Sequence, residues 1–197
     1  MKYLFLDIET IPLEIYDEFI TRYLMDKKLT DAARSIDPNY SKILVIGLKY
    51  DNEVNLLTGD EKNILNEFWD FFKKDNFVVV THNGYKFDIP FIIVRSIINN
   101  VKISKEINTN PWNMLRSNHL DTMLIFSQNV FTNANLKVLA RLNHVQFKDD
   151  GILGKDVERL YKENKLKLIE EHCKGDIEIL EKLFNLKCRA YVEGLRT

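Results

Sequence analysis

Hydrophobic residues along the chain follow two patterns, short apolar runs and longer stretches with helical spacing. The runs are rich in Val, Ile, Leu and Phe, as buried strands are. They predict a first strand through residues 4–9, which gives way to a loop at Thr10-Ile11-Pro12, and further strands at residues 41–50, 53–57, 77–81 and 119–121. Because the turn pair Asp51-Asn52 joins the second strand to the third, the first three strands are expected to form an antiparallel meander.

Apolar positions three and four residues apart predict helices between and after these strands. Asp60 is expected to cap the first long one, and further helices are predicted over residues 91–98, 122–129, 135–142, 155–162 and 165–189. Residues 14–40 are predicted to form a helical insertion whose apolar positions are Ile15, Phe19, Ile20, Tyr23 and Leu24. A helix between the third and fourth strands makes these two strands parallel in the usual right-handed crossover. The predicted class is therefore α/β, a mixed sheet with antiparallel strands first, parallel strands later, and helices on its faces.

Composition and charge limit the classes of protein. A chain of 197 residues accommodates one domain with a full core, so residues 1–197 are expected to form a single domain. Hydrophobic residues make up 45% and charged residues 29%, which indicates a globular protein rather than a disordered or membrane protein. The net charge of -1 argues against a long basic surface for duplex nucleic acid. It permits a small phosphate site to which bound divalent cations bring positive charge.

The two cysteines, Cys173 and Cys188, both fall in the predicted C-terminal helix, about four turns apart. They cannot pair there, and the chain starts with a strand instead of a signal-peptide pattern. These features predict a reduced, cytoplasmic protein, and no apolar run is long enough to span a bilayer.

Two acids interrupt the first apolar run. Side chains alternate along a strand, so Asp7 and Glu9 point to the same side at the predicted strand end. Two carboxylates shielded from water are stabilised by a shared proton or by a cation, and hard oxygen ligands suit Mg²⁺ or Mn²⁺. The alternative interpretation is a strand end that emerges into solvent.

Two later acids occupy similar places. Asp88 follows the fourth strand and the turn at Gly84, where ligand sites collect in such sheets, but it also suits the N-cap of the next helix. Asp176 lies within the apolar stripe of the last helix, and His172 shares its face one turn earlier. A buried carboxylate requires a partner, which is either His172 in a structural pair or a cation.

A cluster of Asp7, Glu9, Asp88 and Asp176 suits two divalent cations about 4 Å apart, an arrangement for attack of water on a phosphodiester. His172 would then orient or deprotonate the attacking water.

In this order, Asp7-x-Glu9, Asn83-x-x-x-Phe87-Asp88 and His172-x-x-x-Asp176 resemble the three exonuclease motifs of the DEDD (DnaQ-like) superfamily of 3′-5′ exonucleases. They are most similar to the branch that contains the proofreading domain of family B DNA polymerases and its stand-alone relatives. The similarity extends to Leu120-Asp121-Thr122, to residues 136–142 and to Gly154-Lys155-Asp156-Val157, and so covers nearly the whole chain.

The resemblance implies a ribonuclease H-like fold and metal-dependent release of nucleoside 5′-monophosphates from the 3′ end of single-stranded DNA. By position, one Mg²⁺ or Mn²⁺ ion would be held by Asp7, Glu9 and Asp176, and a second by Asp7 and Asp88. The residues implied to lie near the terminal nucleotide are Thr10, Ile11, Asn83 and Phe87. DNA is expected as substrate in preference to RNA, with a replication or repair protein as a partner.

One position departs from this branch, which has Tyr four residues before the last Asp, where this chain has His172. The other large branch has a His five residues before that Asp, where this chain has Glu171. Because each residue turns a helix by about 100°, His172 is not expected to copy the geometry of that branch.

Other polar residues receive structural interpretations. Asp121 suits a helix N-cap as well as a contact with the site, Asp149-Asp150-Gly151 suits a turn, and His82 suits a structural or loop-exposed position. His119 and His144 have no acid partner at a metal-ligand spacing. Lys162, Lys165 and Lys167 fit a solvated helix face. Two alternative functions stay open, a 3′ exoribonuclease or structure-selective nuclease on the same fold, and a catalytically silent nucleic-acid-binding module.

Overall fold

The computed structural model describes residues 1–128 and 134–196, in which five strands form one mixed sheet in the order β3-β2-β1-β4-β5. The strands are β1 (Lys2–Pro12), β2 (Ser41–Tyr50), β3 (Glu53–Thr58), β4 (Phe77–Thr81) and β5 (His119–Asp121). The α-helices are α1 (Glu18–Asp26), α2 (Asp31–Ser35), α3 (Glu61–Phe72), α4 (Asp88–Ile98), α5 (Thr122–Ser127), α6 (Leu136–Leu142), α7 (Val157–Lys162), α8 (Leu166–Leu183) and α9 (Arg189–Arg196). Short 3-10 helices span Pro111–Arg116 and Gly154–Asp156, and a π-helical turn at Phe184–Cys188 joins α8 to α9.

Strand pairing confirms the predicted α/β class. β1 pairs with β2 and β2 with β3 in antiparallel fashion, whereas β1 with β4 and β4 with β5 are parallel. The strand that follows the α3 crossover, β4, therefore runs parallel to β3, as expected. It hydrogen-bonds to β1 instead, because β2 already lies between β1 and β3.

Alternate residues of β1 divide the core into two layers. Tyr3 and Phe5 belong to the layer that contains the buried residues of α8. Leu4, Leu6 and Ile8 belong to the layer that contains those of α3 and α4. Because side chains alternate, Asp7 and Glu9 continue the first set and lie on the α8 side of the sheet.

The predicted end of β1 at residue 9 is wrong. The strand continues to Pro12, past a bulge at which Glu9 pairs with Val45 and Thr10 with Ile43. Thr10-Ile11-Pro12 forms a strand because the start of β2 supplies its hydrogen-bond partners. On the other edge of β1, however, pairing with β4 ends at Phe5. The acids therefore lie inside a strand, but next to a point where one of its neighbours has ended.

Predicted helix bounds differ at four places, and the first is α4, which begins at Asp88 and not at residue 91. Asn129, the predicted end of the helix at 122, lies outside the described residues, and α5 ends at Ser127. The helix predicted from 155 begins as a 3-10 turn, and the one predicted from 165 contains the π-helical turn. The predicted insertion consists of α1 and α2, and Leu24 is the buried residue of α1, whereas Phe19 is 79% exposed.

The exposure of Phe19 follows from how α1 packs. The side of α1 that carries Thr21, Leu24 and Met25 lines the hollow beside the segment after β1, so the side that carries Phe19 faces outward. Cys173 and Cys188 are both free and buried. No helix among residues 1–128 and 134–196 combines the length and the apolar character needed to cross a membrane.

Candidate active site

The acids of β1 lie directly beneath α8. Asp7, Glu9 and Cys173 each offer one ligand atom, and these atoms lie within 4.8 Å of one another. Glu9 is only 6% exposed, and the Cys173 thiol lies 3.8 Å from the main-chain oxygen of Asp7. Burial, followed by the nearby carboxylates, raises the pKa of Cys173 well above its usual value, so the sulfur is a neutral thiol. It fills space beside the acids, and a neutral thiol is a poor ligand for Mg²⁺ or Mn²⁺.

Gly47 explains why α8 comes so close to the sheet. It is the partner of Asp7 in the ladder between β1 and β2. A Cβ atom at Gly47 would lie 2.7 Å from the sulfur of Cys173 and 2.2 Å from Cδ1 of Ile177, distances too short for any real contact. The missing side chain therefore lets α8 pack against the sheet, and this brings Asp176 over β1.

Asp88 is the first residue of α4 and is 2% exposed. The N-cap of α4 is Phe87, with no side-chain capping bond, so the alternative interpretation of Asp88 as the N-cap is wrong. One carboxylate oxygen of Asp88, Oδ1, is buried without a hydrogen-bond partner in the described structure. Burial raises the pKa of Asp88 to about 7, although hydrogen bonds from its own N–H and from the N–H of Ile8 oppose the shift.

The turn before α4 is fixed by Asp121. Asn83 adopts a positive φ of 71°, which Asn tolerates better than most residues. Asp121 accepts hydrogen bonds from the N–H groups of Asn83, at 2.9 Å, and Tyr85, at 3.2 Å. It also caps α5 by accepting from the N–H of Met123. Asp121 is therefore a helix N-cap, which was one of the two roles expected for it. It also positions the turn that leads to Asp88.

His172 joins the α8 acid to the β1 acids. Its Nε2 atom lies 3.8 Å from Oδ2 of Asp176 and 3.8 Å from Oε1 of Glu9. The carboxylate closest to the ring is that of Asp150, whose Oδ2 atom lies 2.6 Å from Nδ1. His172 and Asp176 are within ion-pair distance, as the structural alternative held, but the pair does not satisfy both oxygens of Asp176. Oδ1 of Asp176 is buried and, among the described residues, lacks a hydrogen-bond partner.

Lys137 and Asp150 are site residues that the sequence interpretation missed. Lys137 is 9% exposed, and its ammonium lies 2.6 Å from Asp150 and 3.8 Å from Asp176. A lysine between Leu136 and Leu139 in the buried stripe of α6 was the available signal, of the same kind as Asp176 in α8. Asp150 gave no such signal, because it does lie in the turn predicted from Asp149-Asp150-Gly151.

Electrostatics make the four acids an unfavourable group without a counter-charge. Burial is the largest cause of the raised pKa values of Asp7, Glu9 and Asp176. Repulsion by Glu9, Asp88 and Asp176 raises the pKa of Asp7 further, and repulsion by Asp176 and Asp88 does the same for Glu9. The pKa of Asp176 is raised less, since His172 and Lys137 oppose the shift.

The donor set fits divalent cations of the Mg²⁺ or Mn²⁺ type. The four side chains offer carboxylate oxygens, the ligands that these ions prefer. Two of those oxygens, one each from Asp88 and Asp176, are buried and make no hydrogen bond in the described residues. A cation would supply both the missing partner and the counter-charge.

A cleft of about 340 Å³ opens above Asp7, Glu9 and Asp176, whereas Asp88 lies beneath its wall and does not line it. Its walls come from β1, α2, the Asn83–Asp88 turn, the 3-10 helix before α7, and α8. The residues that line it are Asp7, Ile8, Glu9, Thr10, Ala32, Ser35, Ile36, Phe87, Gly154, Lys155, His172 and Asp176. Thr10 donates its hydroxyl to the main-chain oxygen of Ser35 at 2.7 Å, which ties α2 to the cleft. Lys155 is exposed and brings a positive charge to this wall.

Of the four residues expected near a terminal nucleotide, Thr10 and Phe87 line this cleft and Ile11 and Asn83 do not. Ile11 is 4% exposed and belongs to the same core layer as Val157 and Leu160. It faces that layer because β1 remains a strand beyond the bulge and keeps its alternation. Asn83 contributes the positive-φ turn described above.

Two of the other histidines, His82 and His119, have structural surroundings, and for His82 this was one of the two expectations. His82 contacts Thr122 at 2.9 Å and the main-chain oxygen of Ala134 at 2.8 Å. His119 is fully buried, contacts Thr81 at 2.9 Å and stacks on Tyr85. His144 is exposed and has a positive φ of 59° after α6. None of them lines the cleft.

Comparisons with known proteins agree with this geometry. A family model described as a predicted 3′-5′ exonuclease related to the exonuclease domain of PolB matches residues 30–190. No curated protein sequence matches the chain. The family B DNA polymerase from the hyperthermophilic archaeon Pyrobaculum calidifontis is similar in structure, with a TM-score of 0.69, 17% identity, and coverage of 93% of this chain and 24% of the polymerase. At that identity the similarity shows the fold, which confirms the predicted ribonuclease H-like sheet, and this chain spans about a quarter of the polymerase.

Proposed function

The chain belongs to the family of predicted 3′-5′ exonucleases related to the exonuclease domain of PolB, and from this premise we propose its substrate and chemistry. It hydrolyses the terminal phosphodiester of single-stranded DNA from the 3′ end and releases nucleoside 5′-monophosphates. One observation supports this most strongly. Acids from three separate segments lie close enough to repel one another, and two of them, Asp88 and Asp176, keep buried oxygens without hydrogen-bond partners in the described structure.

Two divalent cations, Mg²⁺ or Mn²⁺, are part of the proposal. Asp7, Glu9 and Asp176 would hold one, and Asp7 and Asp88 would hold the other, as the motif resemblance implies. When bound, such ions lower the pKa of water and stabilise charge on a reacting phosphate. The raised pKa values of the acids support this ligand set, because the same groups are costly to ionise without cations.

His172 acts on the attacking water in this proposal. Its Nε2 atom faces Glu9 and Asp176 at 3.8 Å from each, so a water bound among these acids is within reach of the ring. An imidazole with Nδ1 protonated has Nε2 free to accept a proton from that water. The carboxylates on either side then stabilise the charge that the ring gains.

The cleft supports a single-stranded substrate. A volume of about 340 Å³ is typical of small-molecule sites and accommodates a nucleotide rather than a duplex. Phe87 is half-buried in its wall and offers a ring on which a base can stack. Thr10 lines the cleft next to Glu9 as a further contact, and Lys155 is a cation for a phosphate. We further propose a single domain over residues 1–197, with a replication or repair protein as partner.

A time course on matched oligonucleotides tests the proposal. Purified protein with Mg²⁺ or Mn²⁺ is incubated with 5′-labelled single-stranded DNA and RNA, alongside a 3′-blocked strand and an EDTA control. A ladder that shortens from the 3′ end of DNA and disappears with EDTA is the expected result. A ladder on RNA alone would transfer the function to RNA processing, and binding without cleavage would indicate a silent module.

Asp7→Ala tests the site. We expect activity to fall by at least about a thousandfold, because the change removes a carboxylate shared by both proposed cations. The fold should persist, since burial and repulsion already make ionised Asp7 unfavourable. Asp70→Ala is the matched control, an exposed acid of α3 paired with Lys73, and should keep full activity. Wild-type cleavage by Asp7→Ala would refute the site.

A further inference from the structure

Both ring nitrogens of His172 face carboxylates from different parts of the chain, and Nδ1 is within hydrogen-bond distance of one of them. Nδ1 lies 2.6 Å from Oδ2 of Asp150, in the loop after α6. Nε2 faces Glu9 and Asp176 at the acid cluster. The ring is only 3% exposed, so these contacts with the protein, rather than with solvent, set its orientation.

Asp150 is itself fixed in place. Its other oxygen, Oδ1, accepts hydrogen bonds from the Lys137 ammonium at 2.6 Å and from the N–H of Ile152 at 3.1 Å. Lys137 also donates to the main-chain oxygen of Ile152 at 3.0 Å, which closes the loop against α6. Burial raises the pKa of Asp150, but the hydrogen bonds from Lys137, His172 and Ile152 outweigh it and lower that pKa to about 2. The group that faces Nδ1 is therefore a firmly held carboxylate.

We propose that Asp150 is a positioning residue for His172, because its carboxylate accepts a hydrogen bond from Nδ1–H and keeps Nε2 directed at the cleft. A carboxylate behind a functional histidine fixes both the tautomer and the plane of the ring. The inference rests on the proposed function, since Nε2 meets the attacking water only in that reaction. Asp150 does not line the cleft, so it acts through His172 and not on the substrate.

Asp149 provides a matched control for charge. It carries the same carboxylate and lies 3.6 Å from the Lys137 ammonium, close to where Asp150 lies. It pairs with Arg141 and accepts from the N–H of Gly151, and none of its contacts among the described residues is to His172. A variant of Asp149 therefore changes the local charge and the loop without removing the contact at Nδ1.

Kinetics on the full chain form the first test. Asp150→Ala should lower kcat by about 10- to 100-fold with KM almost unchanged, the usual cost of losing such an orienting partner. Asp149→Ala should stay within about twofold of wild type. In a His172→Ala background, Asp150→Ala should have a much smaller further effect, because the route through the ring is gone. Equal effects of the two aspartate variants, or an undiminished effect without His172, would overturn the proposal.

Nitrogen NMR on the metal-free protein forms the second test and needs no activity. The chain has four histidines, so His172→Ala identifies the ring signals of His172. A downfield Nδ1–H proton of His172 should appear in wild type and in Asp149→Ala, and should be absent in Asp150→Ala. Its persistence in Asp150→Ala would overturn the inference. If wild type cuts neither DNA nor RNA, the proposed function fails. The Nδ1–H signal would still show whether Asp150 accepts a hydrogen bond from His172.

A conservative variant covers the case in which Asp150→Ala does not fold. Asp150→Asn keeps one acceptor oxygen, for which Lys137 and His172 then compete. We expect it to fold, to retain part of the Nδ1–H signal, and to lose less kcat than the alanine variant. A folded Asp150→Asn protein with less kcat than Asp150→Ala, or than His172→Ala, would contradict positioning through the ring.

Discussion

Two regions of this molecule bury charged side chains, and they differ in how completely those charges are paired. Arg95 of α4 and Glu61 of α3 form a two-pronged ion pair with distances of 2.6 and 2.9 Å. Glu61 also accepts from the N–H of Ile43 and from Asn99, and Arg95 donates to the main-chain oxygen of Pro38. In the candidate active site, by contrast, two acids keep buried oxygens that lack hydrogen-bond partners within the described residues.

The difference separates a structural role from a functional one. A buried charged group that makes all its hydrogen bonds stabilises the packing of the elements that supply its partners. Here these elements are α3, α4, β2 and the segment before β2. Several like charges without partners destabilise the fold unless something outside the chain binds them. Burial alone therefore does not distinguish the two regions. They differ in whether each buried carboxylate oxygen has a hydrogen-bond partner.

The largest effect on stability should come from breaking the complete cluster. Arg95→Ala leaves the Glu61 carboxylate buried without its cation, so the free energy of unfolding should fall by about 3–5 kcal/mol. Urea denaturation followed by circular dichroism measures it. Arg189→Ala removes a half-exposed pair with Glu193 and should cost less than about 1 kcal/mol. If both variants lost the same free energy of unfolding, the buried pair at Arg95 would contribute no more to stability than an exposed one.

A smaller effect should come from forcing the acid cluster apart. Gly47→Ala places a methyl group against Cys173 and Ile177, so we expect a loss of about 1–3 kcal/mol and a drop in exonuclease activity as α8 shifts with Asp176. Gly194→Ala is the control, because no other described part of the chain lies within 4 Å of its added Cβ, and it should stabilise α9 by about 0.5–1 kcal/mol. Unchanged activity and stability in Gly47→Ala would show that α8 does not need this close approach.

The smallest effect concerns pH and metal. Asp88 has its pKa raised to about 7, so between about pH 4 and pH 7 the folded chain holds a proton that the unfolded chain has released. The contribution of Asp88 to the stability of the metal-free protein should therefore be largest below that range and decline as the pH rises through it.

Thermal melts of wild type and Asp88→Asn check this sign. At pH 8 without metal the variant should melt about 2–4 °C higher, the shift that about 1 kcal/mol produces in a chain of this size. Added Mg²⁺ or Mn²⁺ should stabilise wild type more than the variant. A variant that melts below wild type in metal-free buffer would indicate that the Asp88 carboxylate is already satisfied by the chain.

Local pattern was sufficient for much of the site. Period-two alternation placed Asp7 and Glu9 on one side of β1, and an i, i+4 spacing placed His172 and Asp176 on one face of α8. Both features follow from the geometry of a single element, which depends only on residues near in sequence. The order of strands and helices, and hence the mixed sheet, followed from the same rules.

The contacts between segments could not be predicted in this way. Asp150 occupies a turn that looks ordinary in sequence, and it matters because α6 and α8 bring Lys137 and His172 to it. Ile11 was expected at a nucleotide and lies in the core, since β2 supplies hydrogen-bond partners that extend β1. The sequence by itself determined which elements form and which residues carry charge. Only the tertiary structure decided which charges are paired, because residues far apart in the chain supply or withhold the partner of each buried oxygen.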